Sequence, residues 1–125
     1  MIIEIKEMMH LASIENVDYN QTIFIIQVAD VIDMGETENL WIFLKTIIAG
    51  GCLKVIINMD GLDFIDSYGI SVLINSAKLL RGKKGDLAII KVPERIEKIF
   101  KPVNLNRFIQ MYNSETDAVN FLKLV

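Results

Sequence analysis

A chain of 125 residues, 52% hydrophobic and 23% charged, has the length of one ordinary domain and the composition of a folded core rather than of a disordered chain. Thirteen basic against sixteen acidic residues give a formal charge of -3, so the basic footprint that holds DNA or RNA is missing and no nucleic-acid partner is expected. No apolar run approaches the roughly 20 residues of a spanning helix, the single Cys52 closes no intrachain disulfide, and no secretory signal is read at the N-terminus; a cytoplasmic protein without membrane insertion is expected.

Residues 1–12 carry no clear hydrophobic period and are read as an N-terminal extension, leaving 13–125 as the domain. Ser13 to Val17 predicts a short strand, Asp18-Tyr19-Asn20-Gln21 a polar turn, and Thr22 to Val28 a second strand rich in β-branched residues, together an antiparallel hairpin. Asp33-Met34-Gly35-Glu36-Thr37 then supplies acidic and capping residues for a helix whose Leu40, Phe43, Leu44, Ile47 and Ile48 share a face. Gly50-Gly51 ends that helix. Leu53 to Met59 is nearly all apolar, as in a strand covered on both faces, and is placed at the centre of the sheet.

After an Asp66-Ser67-Tyr68-Gly69 turn, Ile70, Leu73, Ile74 and Ala77 recur at helical spacing, and Arg81-Gly82-Lys83-Lys84-Gly85 reads as a basic last turn with a glycine stop. Leu87 to Val92 predicts a further strand, and Pro93 suits the first turn of a short helix through Phe100, where its missing N–H has no partner to lose. Pro102 breaks that helix. A short strand near Phe108 to Tyr112 and a final helix from Glu115 to Leu124, capped by Ser114, complete the chain. Strands joined through helices by short loops make the fold class α/β, with a mixed central sheet of about five strands and about four helices.

Catalysis finds few parts. A serine at a strand-to-helix turn resembles a hydrolase elbow, but that needs Gly-x-Ser-x-Gly and a histidine base, and the one histidine is His10 in the extension. One cysteine and one histidine leave only carboxylates for a metal, and Asp60, Asp63 and Asp66 lack calcium-loop spacing. No phosphate-binding glycine motif is present, and Gly82-Lys83-Lys84-Gly85 reads as a turn. Lys101-Pro102 mimics one feature of phosphoaspartate receivers but follows a helix, and the first strands end in no matching acidic pair. No enzyme activity, cofactor or metal is expected.

Asp66 or Ser67 can be the N-cap of this helix, and since one cap is enough it explains Asp66 better than the pair; the Ser67 hydroxyl stands at a helix N-terminus, where the dipole and free N–H groups tolerate a phosphate. Gly69, a poor helix former by about 0.8 to 1 kcal/mol relative to alanine, suggests close approach by another group. Ser67, Tyr68, Ser71, Val72 and Asn75 are read as a docking strip along the helix, because Val72 and Leu79 lie roughly opposite the Ile70 face. In the first helix, Trp41 flanks the core face and Ile42 points outward.

The order of hairpin, helix, buried strand, Asp-Ser-x-Gly turn, helix, strand and proline-led helix resembles the STAS family, named for sulphate transporters and anti-sigma factor antagonists, over roughly Ser13 to Leu122. Leu62 to Ile70 is similar to the family signature, in which the serine after the aspartate is the phosphorylation site of bacterial antagonists, and this maps onto Ser67. Asp33 matches an acidic position beside that serine, and Val92-Pro93 and Val103-Asn104-Leu105 match weaker features. The resemblance implies an anti-sigma factor antagonist that binds an anti-sigma factor or serine kinase, with a serine phosphatase as a further partner, through Asp33, Asp66, Ser67, Tyr68, Gly69, Ser71, Val72 and Asn75. The alternative is a constitutive subunit of a stress-signalling or lipid-transport complex. Tyr68 stands where many antagonists have a small residue, and Asp30 and Val31 where a glycine and an acid are common.

Overall fold

The computed structural model of the protein describes the strand Ile2–Met8 and residues 22–125. β1 (Ile2–Met8) runs antiparallel to β2 (Ile23–Ile32), with Ile5 opposite Ile26. The antiparallel partner of β2 is therefore supplied by the segment read as an extension. Its local pattern is weak because the ladder with β2, a non-local interaction, holds it in place. The expected strand Ser13 to Val17 lies outside the described residues.

α1 (Met34–Ala49) follows β2 and ends where Gly51 adopts a φ of 107°, a left-handed value that glycine takes without a Cβ penalty. β3 (Lys54–Asn58) pairs parallel to β2 and occupies the centre, as its apolar run requires. β4 (Leu62–Ile65), absent from the sequence reading, pairs parallel to the far end of β2, off the main sheet path, with Val31 opposite Phe64 and a bulge between Asp30 and Val31. Four residues with both inner positions exposed carry no strand period to detect. α2 (Ser67–Gly82), β5 (Asp86–Ile90) and α3 (Glu94–Phe100) follow, then two 3₁₀ turns at Lys101–Val103 and Leu105–Arg107, β6 (Gln110–Tyr112) and α4 (Glu115–Lys123).

The sheet runs β1-β2-β3-β5-β6, mixed through the antiparallel β1, with four helices among the described residues. Alternation along the strands divides the core into two. Ile26, Val28, Val55, Ile57, Leu87 and Ile89 face α1, α2 and α3, while Ile23, Ile25, Ile56, Ala88 and Ile90 face Ala118, Val119 and Leu122 of α4. Pro93 sits at the N-cap of α3, one residue before the predicted first turn. α3 ends at Phe100, as expected from Pro102, and the chain continues through Pro102 in a 3₁₀ turn. Ser114 caps α4, its hydroxyl accepting from the Asp117 N–H at 3.2 Å.

α2 buries Ile70, Leu73 and Ala77 as expected, but the stripe is centred differently. Gly69, Ile70, Val72, Leu73, Ser76, Ala77 and Leu80 are buried, Val72 to 1% exposure, whereas Ile74 is only half-buried. The small residues Gly69, Ser76 and Ala77 let the helix lie close against the sheet and α1, so the centre of the buried stripe shifts around the axis and takes in Val72. Val72 is therefore a core residue and not part of a docking strip. Leu79 and Ile42 are exposed, as expected, and Trp41 is partly buried with the Lys45 ammonium 5.0 Å from its ring centroid.

Candidate functional site

Parallel strands deliver their C-terminal ends to one side of the sheet, and there β2 and β4 hand the chain to α1 and α2. The starts of these two helices are joined by backbone and side chain. The Asp66 N–H donates to the Ile32 carbonyl at 3.0 Å. The Asp66 carboxylate caps α2, its Oδ1 accepting from the Gly69 N–H at 2.7 Å, and the same Oδ1 accepts from the Thr37 hydroxyl at 3.4 Å while Oδ2 accepts from the Met34 N–H at 3.4 Å. Asp33 stands at the N-cap position of α1 but makes no side-chain cap bond; its carbonyl takes the Glu36 and Thr37 N–H groups. Thus one carboxylate serves the starts of two helices.

Ser67 is the first residue of α2 and is exposed. Its carbonyl accepts from the Ser71 hydroxyl at 3.1 Å, but its own hydroxyl bonds to none of the described residues. Gly69 is buried, and a Cβ there would stand 2.6 Å from Ile65 Cγ1 and 3.2 Å from Ile32 Cγ2. The close approach expected at Gly69 comes from the chain's own core. Gly69 offers no surface to a partner and leaves the candidate interface, as Val72 does. Ser67, Tyr68, Ser71 and Asn75 remain together on one exposed face, with the half-buried Asp33 and Asp66 at its head.

With this geometry in view, comparison with known sequences is decisive: the STAS domain profile matches residues 15–118. The chain belongs to the STAS family. An anti-sigma F factor antagonist from Paenibacillus polymyxa is 26% identical over 74 residues, 59% of this chain and 63% of that one. In three dimensions the STAS domain superposes on an anti-sigma factor antagonist from Mycobacterium paratuberculosis with a TM-score of 0.75 at 16% identity, covering 98% of this chain and 95% of the other. The Bacillus protein SpoIIAA gives 0.73 at 16% identity in its unphosphorylated form, over 98% of both chains, and 0.63 at 18% identity in its phosphorylated form, over 94% of this chain and 98% of that one. At these identities the likeness is one of fold.

Around Ser67 the STAS domain exposes more apolar surface than the sequence suggested. Val31 is 37% exposed, Phe64 43%, Tyr68 45% and Met34 80%. Val31 and Phe64 are register neighbours on β2 and β4, so they form one continuous patch. Phe64 and Met34 escaped the sequence reading because apolar residues beside strands read as core; the signal available was the failed alternation of Asp63-Phe64 within Leu62–Ile65. Asp30, where a glycine is common, adopts a φ of 65°, a left-handed conformation that aspartate tolerates better than most side chains.

The Tyr68 hydroxyl donates to Glu38 Oε2 at 2.8 Å, tying α2 to α1. That bond to the Glu38 carboxylate, followed by burial and the negative charges of Glu38 and Asp66, raises the phenol above its ordinary value of 10.0. A group whose folded value is raised adds stability that is complete below its unfolded value and is lost as pH rises through the folded one. Ultraviolet difference titration is therefore expected to show one phenol ionising later than free tyrosine, above pH 10, and to lose that late step in Tyr68→Phe. An unshifted step would mean that the Glu38 bond does not persist in solution.

Among the described residues, other groups suited to chemistry are few. Cys52 is buried, and desolvation pushes its thiol up to about 11 from 9.0, so it is no nucleophile near neutrality. No group of three metal-ligating side chains occurs among the described residues. A shallow cavity of about 380 Å³ between α3 and β6 is lined by Glu97, Lys101, Asn104 and Asn106 over Phe100 and Leu105, but that apolar floor is nearly sealed and no lining residue belongs to α2 or β4. No helix among the described residues is long and apolar enough to cross a membrane.

Proposed function

We propose that this STAS protein is a non-enzymatic anti-sigma factor antagonist that binds an anti-sigma factor or serine kinase in the cytoplasm and is switched by phosphorylation of Ser67. The observation that carries this reading is the division of labour at the start of α2: Asp66 caps the helix, so the neighbouring Ser67 hydroxyl is exposed and spare. A phosphate there, bearing about -1.5 to -2 charges, suits the open N–H groups of the first turn and leaves the helix intact. It opposes docking for a separate reason. Val31, Met34, Phe64 and Tyr68 offer apolar contact area beside it, and a dianion buried against that area without a cation loses its hydration. A serine phosphatase would restore the binding form.

The likeness to antagonists, one of them solved in phosphorylated and unphosphorylated forms, supports the reading. The test is incubation with ATP and an anti-sigma factor serine kinase of the same organism, mapping of phosphate by mass spectrometry, and binding of that kinase by native protein and Ser67→Glu. Phosphate is expected at Ser67, and Ser67→Glu is expected to weaken binding by about a hundredfold, as a charge desolvated at an interface commonly does. No modification at Ser67, with binding indifferent to Ser67→Glu, would overturn the switch. Copurification with a larger assembly that is equally indifferent would mark a constitutive subunit instead.

A further inference from the structure

We propose that Asp66 relays the state of Ser67 to the start of α1, so that a phosphate on Ser67 loosens the Asp33–Thr37 turn and reshapes the surface beside it; this rests on the reading of Ser67 as a phosphorylation site. The relay is the shared carboxylate. Its bond to α2, through the Gly69 N–H, is short at 2.7 Å, whereas its bonds to the Met34 N–H and the Thr37 hydroxyl of α1 are both 3.4 Å. Long bonds to α1 and a short one to α2 mean that a displacement of Asp66 is felt first by α1.

A phosphate on the next residue displaces it in two ways. About -1.5 to -2 charges adjacent to the carboxylate repel it, and phosphate oxygens compete for the Gly69 N–H of the first turn of α2 that Asp66 now caps. α1 is poised to respond, because Met34, its first residue, is held at a φ of 44°. A side chain other than glycine keeps such a conformation only where its surroundings impose it, and the Asp66 contact to the Met34 N–H is part of that restraint. Asp30, left-handed at the bulge of β2, is held without Asp66, its N–H donating to the Gly61 carbonyl at 3.0 Å. Of the two, only Met34 depends on the Asp66 carboxylate. Met34 is 80% exposed and belongs to the apolar surface beside Ser67, so its release alters the shape that a partner meets as well as its charge.

The experiment installs phosphoserine at position 67 during translation, without any kinase, and follows amide hydrogen exchange by NMR in the full chain. Glu36 and Thr37, whose N–H groups bond to the Asp33 carbonyl, are expected to exchange about tenfold faster with phosphoserine than with serine. Thr37→Val removes the hydroxyl that holds Asp66 while keeping the shape of the buried side chain. In that background exchange is expected to be fast already, with phosphoserine adding less than about threefold, while Thr37→Ser preserves the full response. Exchange at Glu36 and Thr37 within about twofold of the unmodified protein overturns the relay, as does an undiminished phosphoserine effect in Thr37→Val. Because the phosphate is installed without an enzyme, a kinase that ignores Ser67 fails the switch and leaves this result standing; unchanged exchange fails the relay and leaves the switch.

Discussion

Gly85→Ala is expected to lower the unfolding free energy by about 3 kcal/mol or more, at or beyond the upper end of the usual cost of overpacking. The added Cβ would fall on the backbone of Leu53, within the radius of its carbonyl oxygen, 2.8 Å from the carbonyl carbon and 3.0 Å from Cα. Neither segment can give way cheaply. The Gly85 N–H donates to the Leu80 carbonyl at 2.8 Å, and the Asp86 N–H to the Leu53 carbonyl at 3.0 Å, so the contact lies where α2 turns into β5 and where β5 begins to pair with β3. In a domain whose total stability is about 5 to 15 kcal/mol, the melting temperature should fall by about 10 °C or more. Gly82→Ala is the control. No atom lies within 4 Å of its added Cβ and the site is helical, so it should be neutral or stabilising by up to about 1 kcal/mol. Urea unfolding of the two variants decides the matter; equal midpoints would show that the Leu53 approach is looser than described.

Asp66→Ala is expected to cost about 2 to 3 kcal/mol, more than the roughly 1 kcal/mol of an ordinary helix cap, because three donors lose their acceptor together. The Gly69 N–H loses its cap, Met34 loses a restraint on its left-handed backbone, and the fully buried Thr37 hydroxyl loses its acceptor. Asp66→Asn keeps an acceptor oxygen and should recover most of the loss. The comparison with Ser114→Ala, which removes the plain cap of α4, separates the shared cap from a single one: both are read by urea unfolding, and equal losses would mean that the α1 contacts contribute nothing. Asp66 therefore links stability to function, since the group that holds two helix starts in register is the neighbour of the residue proposed to be switched.

Much of this is legible in the sequence, for reasons that are local. Helix faces repeat every three to four residues, caps act within one turn, and glycine marks backbone that other residues avoid. Hence periodicity and capping chemistry assign Leu40, Leu44 and Ile48 to the core of α1, Ser114 to a cap and Gly50-Gly51 to a helix end, as found, and narrow the cap of α2 to Asp66 or Ser67, of which the fold uses Asp66. The same reasoning places Ser67 at a helix start, from Asp66 before it and the helical period after it.

What required the folded chain was every pairing between residues far apart in sequence. That β1 comes from Ile2–Met8, that Leu62–Ile65 adds a strand to the end of β2, and that Val72 rather than Ile74 is fully buried depend on which surfaces meet, and local periodicity is silent on that. The candidate site shows the same division. The sequence by itself determined an Asp-Ser pair, one of them a cap, at the start of one helix; only the tertiary structure decided that Asp66 is that cap, that it also reaches across 29 residues to Thr37 and that Gly69 is closed off by Ile65. A carboxylate's capping bond to its own helix is set within three residues of chain, whereas its reach to a second helix exists only after β2 and β4 have paired and brought the two helix starts together.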